Sequence, residues 1–572
     1  MSIAESVRYP QHQAALAELY AARQRWATKS VKMRLALLQK IKHQLRQIAP
    51  QWVQAASAAK GLPAGSPLTG EEWFAGPVAL MAGCHGLMVT LAQMTDKAFL
   101  QQIPGRTLAD GRLALRVMPG SVWEKLLLSG VKAEVWMQAG VTRDNLSRHA
   151  ATAYERPLAQ REGKVALVLG AGNVAAISPL DALHKLFVEN QVCLLKLNPV
   201  NDYLLPFLEQ ALAPLIACDA LRIVTGDAQT GAWLCEHPYI AEIHITGSAA
   251  SHDAIVWGEG EEGVRRRQSA TPRNARRVTS ELGGVCPTIV VPGPWSAADI
   301  AFQAQQLASQ KLNNAGFNCV ASQVLVMQRG WRHESALLHQ LQQAIAASRR
   351  PAYYPGTEAR IAAFCDRAVN PQLIEREGTM AFVIANSEES ADFTHREVFG
   401  PALSITRLDA DSAESFLRQA IGYANQRLQG SLGANIVIHP RTRKAIGKKR
   451  FHALINELRY GTIAINSWTG VAFMLAPCPW GAYPGHSLAD IQSGRGTVHN
   501  SFMLESTERT VLEAPFQPFP RGLLRGELSL LPKPPWFINH QRQDEVAQRL
   551  LEFYYRPGWR KLPRIFWQAW RG

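Results

Sequence analysis

The 572-residue chain has no Cys-x-x-Cys pair and no Cys/His spacing that suits a metal. Its eight cysteines, at 84, 193, 218, 235, 286, 319, 365 and 478, read as free thiols of a reducing compartment, with one or two of them carrying chemistry. The N-terminus, MSIAESVRYPQHQ, lacks a basic start followed by an apolar segment, so export is not expected and a cytoplasmic location follows. No run of about 20 residues is free of both charge and Gly/Pro breaks. The most apolar candidate, Val165 to Leu183, is interrupted by Gly170, Gly172, Pro179 and Asp181, and a membrane span is not expected. Fixed-period repeats, low-complexity tracts and nucleic-acid motifs are also missing. The excess of 61 Lys+Arg over 46 Asp+Glu gives +15, dispersed except at residues 265–277 and in the C-terminal tail, so nucleic acid is not expected as a partner. The stretch RRRQSATPRNARR at 265–277, behind Glu259, Glu261 and Glu262, reads as a solvated loop.

What is present is core material: 47% hydrophobic residues, 19% charged, 42 Gly and 33 Pro, in a chain long enough for several domain-sized units. From Ala14 to Lys60 apolar residues recur at three- and four-residue steps (Leu35, Leu38, Ile41, Leu45, Ile48), which predicts helix. Strand-like runs then alternate with helical stretches: KVALVL at 164–169, VCLLKL at 192–197, LRIVTG at 221–226 and IHIT at 243–246. That alternation predicts βαβ crossovers and a mostly parallel sheet covered on both faces. It begins again after Glu281 with PTIVV at 287–291, a helix over 296–313 and SQVLVM at 322–327, so a second α/β domain is expected from about 279. Beyond Ala514 the chain is Pro-rich, then helical over 541–555, and it ends with Trp559, Trp567 and Trp570 among Arg and Lys. Aromatic and basic side chains together suit docking on the protein's own surface, a subunit contact or a membrane interface.

Four short segments carry chemistry. Gly170-Ala-Gly-Asn-Val-Ala175 fits a GxGxxA dinucleotide fingerprint, but the next strand ends in Lys196-Leu-Asn-Pro199 instead of the acidic residue that a ribose needs. Val224-Thr-Gly-Asp-Ala-Gln-Thr-Gly231 and Ile245-Thr-Gly-Ser248 are small-residue turns between strand and helix, where backbone N–H groups approach a phosphate. Thr279-Ser-Glu-Leu-Gly-Gly284 sets a carboxylate before an apolar strand, suited to a general base of raised pKa. Asn313-Asn-Ala-Gly-Phe-Asn-Cys319 places one cysteine in a glycine-containing polar turn, where backbone N–H groups favour a thiolate. Cys84, Cys193, Cys218, Cys235 and Cys365 lie in apolar or helical patterns and read as inert core thiols.

Together these segments resemble the aldehyde dehydrogenase superfamily from about Ala21 to about Phe502. Glu397-Val-Phe-Gly-Pro401 is similar to that family's ExFGP motif, Tyr460-Gly-Thr-Ile-Ala-Ile-Asn466 to its late strand, and Asn173 precedes Lys196 by the family spacing. The resemblance implies two doubly wound α/β domains, one cofactor-binding and one catalytic, with a small oligomerisation element and an extra C-terminal tail. The expected division is 1–278 for N-terminal helices and cofactor domain, 279–455 for the catalytic domain, 456–514 for a return segment with the oligomerisation element, and 515–572 for the extension. It further implies NAD or NADP as cofactor, an aldehyde as substrate, and a homo-oligomer, dimer or tetramer. Cys319 would be the nucleophile, Asn173 the oxyanion donor and Glu281 the base that activates water. Lys196 would meet the adenosine ribose, Gly226 and Gly231 the adenine side, Thr246, Gly247 and Ser248 the pyrophosphate, and Glu397 with Phe399 the nicotinamide ribose.

The sequence also departs from the family. Pro199 stands where a glutamate usually selects NAD, which admits NADP; the residues before the nucleophile read Gly316-Phe317-Asn318, and Val285 replaces the usual lysine after ELGG. Trp468, Phe473 and Trp480 lie near the late strand and suggest an apolar or aromatic aldehyde. Two other functions remain open: an aldehyde dehydrogenase that passes its thioester to coenzyme A, against which Glu281 argues, and a degenerate scaffold whose tail makes a peripheral membrane or protein contact.

Overall fold

The computed structural model describes residues 9–527 and 529–572. The chain opens with the helices Pro10–Ala27 and Val31–Ala59, so the expected helical run is two helices broken at 28–30, where the Ser30 side chain accepts from the Met33 amide. Leu38, Ile41, Leu45, Trp52 and Val53 form the buried stripe of the second helix, at the three- and four-residue steps that the sequence displays. The apolar run that reaches membrane-spanning length is Thr69–Ala92, not Val165–Leu183; 61% of its most apolar window is buried inside the protein.

Three short strands follow, β1 (Gly105–Thr107), β2 (Leu113–Met118) and β3 (Lys132–Met137), which the sequence reading did not anticipate. Next come β4 (Val165–Leu169), β5 (Val192–Lys196), β6 (Leu221–Val224), β7 (Glu242–Gly247) and β8 (Arg277–Leu282). Then β9 (Cys286–Val290), β10 (Ser322–Gln328), β11 (Gln372–Ile374), β12 (Phe382–Asn386), β13 (Ala402–Leu408), β14 (Gly433–Val437) and β15 (Thr462–Ile465) alternate mostly with helices; β16 (Gly494–Arg495) and β17 (Thr507–Glu513) complete the set.

These strands build two sheets. A six-stranded sheet has the order β16-β8-β7-β4-β5-β6, parallel except where β16 runs against β8. An eleven-stranded sheet has the order β1-β2-β3-β17-β15-β14-β9-β10-β13-β12-β11, parallel from β17 to β12. The inner strands β4 and β5 are buried almost throughout, as apolar β-branched runs require when helices cover both faces. Because β8 pairs with β7, the parallel part of the first sheet runs to Leu282, a few residues past 279, and Glu281 belongs to it; β16 at 494–495 is added to the same sheet from far along the chain. The segment 507–513 joins the hairpins at 105–137 as an extension of the second sheet.

Residues 515–572 are built into the body. Phe516 and Leu551 are buried in the main cores, Trp536 lies 5.6 Å from Trp468, and Arg525 pairs with buried Asp299 at 2.6 Å. The helix Gln543–Tyr555 presses so closely on Gly70 that a β-carbon there would overlap Gln543. The basic stretch expected as a solvated loop is one over 269–276, between the end of a helix and the start of β8. Arg265 to Arg267 end the helix Gly260–Gln268, Arg266 pairs with Glu262 and Arg267 with Asp253, and Arg277 meets Glu189 and Glu242. Local acids thus answer most of that charge.

Candidate active site

Cys319 lies between the helix Ala297–Leu312 and β10, in a loop where Asn314, Ala315 and Gly316 all adopt positive φ (51°, 56° and 87°). Asn and Gly tolerate that region, whereas Ala315 is strained, and such strain persists only where the surroundings fix it. They do so here: the Asn314 amide donates to Glu71 at 2.8 Å, and its side chain donates to the Phe317 carbonyl at 3.1 Å.

Glu281, near the end of β8, pairs in register with Thr246 on one side and Gly494 on the other. Its Oε1 accepts the Trp480 indole N–H at 2.6 Å and the Cys319 thiol at 3.5 Å, while its buried Oε2 has no partner among the described residues. Burial, and next the nearby Asp181, raise the Glu281 carboxyl above its ordinary range. Burial and the carboxylates of Glu281 and Glu397 push the Cys319 thiol well above the usual value. This corrects the expectation of a thiolate favoured by backbone N–H groups: burial beside acids stabilises the neutral thiol, which therefore needs a base.

Asn173 follows β4 and is buried. Its Nδ2 donates to the Phe317 carbonyl at 2.8 Å, two residues before the cysteine, which leaves its second hydrogen for another acceptor. Its backbone carbonyl accepts from Lys60 Nζ (3.1 Å), Asn314 Nδ2 (3.1 Å) and the Tyr353 hydroxyl (3.0 Å). Below lies a buried ionic cluster, in which Lys60 meets Glu72 at 2.9 Å and Arg350 meets Glu71 at 2.9 Å and Glu72 at 2.5 Å. Sequence reasoning missed this cluster because its members come from residues 60–72 and 350–353 and no local pattern links them.

Asn173, Glu281 and Cys319 line one cavity of about 260 Å³. Trp468, Phe473 and Trp480 line it too, and so do Leu531, Trp536, Leu550, Tyr554, Ile565 and Phe566 of the C-terminal extension. The Pro-rich, Trp-rich composition of the tail gave no hint that it walls this cavity.

The other candidate residues lie around the ends of the first sheet. Lys196 ends β5, buried, with burial holding its amine below the usual value against the attraction of Asp202 and Asp227. Gly226 has φ +145°, and a side chain there would meet Thr230. A β-carbon at Gly231 would touch nothing within 4 Å, so the helix Ala228–Glu236 leaves open room there. Gly247 ends β7, and Ser248 caps the helix Ala249–Val256 by accepting from the Ser251 amide at 3.1 Å. Thr246 differs from expectation: its hydroxyl turns inward and donates to Asp181 at 2.9 Å, leaving only its backbone for a ligand.

Glu397 is the least satisfied of them. It is half-buried, its buried Oε1 has no partner among the described residues, and burial raises its carboxyl to about 8 against the pull of Lys311. Phe399 packs 5.7 Å from Phe317 and 5.0 Å from Tyr354. An orphaned buried oxygen at Glu397, open space at Gly231 and a helix N-terminus at Ser248 fit the hydroxyls, adenine side and pyrophosphate of a dinucleotide.

Comparison with known proteins bears on the fold. Residues 204–351 match the model of the aldehyde dehydrogenase family. An NAD-dependent aldehyde dehydrogenase of Sinorhizobium meliloti superposes with a TM-score of 0.58 at 17% identity, over 89% of this chain and 88% of that one. An NADP-dependent enzyme of E. coli gives 0.57 at 16% identity, over 88% and 89%. An indole-3-acetaldehyde dehydrogenase solved with NAD+ gives 0.56 at 16% identity, over 88% of each chain. Residues 204–351 thus match the aldehyde dehydrogenase family model, and the chain as a whole carries the fold of these aldehyde dehydrogenases.

Proposed function

We propose that this protein oxidises an apolar aldehyde to the carboxylic acid with NAD or NADP, through a thiohemiacetal and then a thioester on Cys319. The observation that carries the reading is the Cys319 thiol 3.5 Å from the Glu281 carboxylate in a cavity shared with Asn173. Glu281 takes the thiol proton as sulfur attacks the carbonyl carbon. The free hydrogen of the Asn173 amide meets the oxyanion, with Nδ2 held in place by its bond to Phe317. A bound dinucleotide supplies the acceptor for the hydride that turns the thiohemiacetal into a thioester. Lys196, Gly226, Gly231, Gly247 and Ser248 would hold its adenosine and pyrophosphate, the Thr246 backbone would flank the latter, and Glu397 and Phe399 would hold its nicotinamide ribose. Once the thiol proton has passed to solvent, Glu281 takes a proton from the attacking water and returns it to the departing Cys319 sulfur as the acid is released.

Pro199 removes the acidic residue that would repel a 2′-phosphate, which supports use of NADP alongside NAD. The Glu281 base supports water as the acceptor of the acyl group over coenzyme A. The open edge of the long sheet at β1 supports a subunit contact in a cytoplasmic homo-oligomer. The test is reduced-cofactor absorbance with an aldehyde panel and NAD or NADP, with and without coenzyme A. The reading expects turnover without coenzyme A and none from Cys319→Ala; a strict requirement for coenzyme A would reject hydrolysis.

A further inference from the structure

Part of the cavity wall comes from three segments distant in sequence: Leu127 and Val131, then Leu531, then Ile565, Phe566 and Ala569. On their other side the same segments expose large apolar residues. Val122 is 55% exposed, Leu524 88%, Leu530 49%, Trp559 60%, Trp567 63% and Trp570 53%. Contacts join them into one face: Trp123 lies 4.3 Å from Trp559, Phe519 lies 5.1 Å from Trp570, and the Leu530 amide donates to Ser129 at 3.1 Å. The helix Leu562–Trp570 shows both sides at once, with Ile565 and Phe566 on the cavity and Trp567 and Trp570 in solvent.

The charge on this face has one sign. Arg560, Arg564 and Arg571 are exposed around the tryptophans. The acids of these segments are turned to the backbone: Glu124 accepts from the Gly120 and Ser121 amides, and Glu527 from the Phe516 amide. Tryptophan beside arginine is the pairing that settles at a lipid headgroup layer, where the ring finds both an apolar and a wet side. Single exposed apolar residues need no explanation, but a joined patch rimmed by cations does.

We propose that this face docks on an anionic lipid bilayer, and that the apolar cavity behind it takes a long-chain aldehyde from that bilayer to Cys319. The choice of aldehyde rests on the function proposed above; the docking does not. A soluble protein partner would leave unexplained why the exposed patch and the cavity wall are two sides of the same helix.

The experiment is sedimentation of the full-length protein with vesicles of phosphatidylcholine alone or mixed with phosphatidylglycerol, at low and high salt. Binding to the anionic vesicles is expected to be about tenfold or more stronger than to the neutral ones and to weaken as salt rises. Trp567→Ser with Trp570→Ser should lower it about tenfold, and Arg564→Glu with Arg571→Glu should abolish the anionic preference, a second route should the tryptophan variant fold poorly. Both pairs lie outside the cavity wall, so turnover of a short, water-soluble aldehyde should stay at the wild-type level. Failure to sediment with either vesicle, binding unaffected by both variants, or a patch-dependent dimer that ignores lipid would overturn the docking. Vesicle binding without turnover of any aldehyde would instead reject the enzymatic reading and leave the surface standing.

Discussion

The thiol of Cys319 and the carboxylate of Glu281 meet at 3.5 Å although they come from different sheets, Glu281 from the six-stranded one and Cys319 from the loop that leads into the eleven-stranded one. Burial and the Glu281 carboxylate together raise the proton affinity of the thiol, because a thiolate that close to a carboxylate in so buried a place is disfavoured. The pair works as an acid facing a base only while Glu281 is ionised and Cys319 is not. The rate should therefore fall as pH drops through the raised value of Glu281, so the acid limb lies above the ordinary carboxylate range. Glu281→Gln should lower kcat by about 10²–10⁴-fold and flatten that limb. It should also move the thiol titration, followed by ultraviolet absorbance of the thiolate, to lower pH, since a negative neighbour is gone. A thiol midpoint that stays in place would show that the two side chains are not coupled.

Asn173 should behave as the oxyanion donor. Asn173→Ala is expected to reduce kcat by about 10²–10³-fold. Tyr353→Phe, which takes one of three donors from the Asn173 carbonyl, should cost only a few-fold and leave the circular dichroism spectrum unchanged. Steady-state kinetics on both variants decides; equal losses would mean that Tyr353 itself acts on substrate.

The cluster beneath Asn173 should matter for stability first. Arg350→Ala leaves Glu71 and Glu72 buried without the guanidinium they share, a change that typically costs about 3–5 kcal/mol. Denaturant unfolding should show that loss. Replacing Arg25, which is itself exposed and whose partner Asp219 keeps Arg222, should cost under about 1 kcal/mol.

Glu397 carries a pH signature of its own. Its carboxyl titrates near 8 in the folded protein against 4.5 ordinarily, so the folded state holds a proton that the unfolded chain releases, and stability falls as pH rises between those values. Glu397→Gln stays neutral throughout. It should therefore match the wild type near pH 4.5 and exceed it above pH 8 by about 2–4 °C in Tm. The same variant should bind the dinucleotide about tenfold more weakly above pH 8, where the wild-type carboxylate is charged and one hydrogen bond to a charged acceptor is lost. Thermal scans across pH and a cofactor titration test both statements. A Tm difference constant with pH would mean that Glu397 is ionised in the fold.

Arg525 of the extension reaches Asp299, which is fully buried at the start of the helix leading to the Cys319 loop. Arg525→Ala should destabilise the protein by about 1–3 kcal/mol, because Asp299 keeps only neutral donors from Ser296 and Gln517. Equilibrium unfolding checks this. An unchanged midpoint would mean that the tail contributes nothing to the catalytic domain's stability.

The sequence by itself determined the strands β4 to β7, β9 and β10 and the order of the chemical residues. KVALVL, VCLLKL and SQVLVM are apolar runs closed by turns, and such runs become buried parallel strands wherever helices alternate with them. The small-residue turns around Gly226 and Ser248 were legible for the same reason, since backbone conformation is a local property. What only the tertiary structure decided concerns groups far apart in the chain. That Thr246 turns to Asp181, that Lys60 and Arg350 meet at Glu72, and that the thiol is held neutral all depend on burial by neighbours from other elements. So does the tail, whose Leu550 and Phe566 wall the cavity of Cys319. Residue type and spacing fix hydrogen-bond patterns within a few residues, whereas desolvation and ion pairing are set by whatever the fold brings to within a few ångströms.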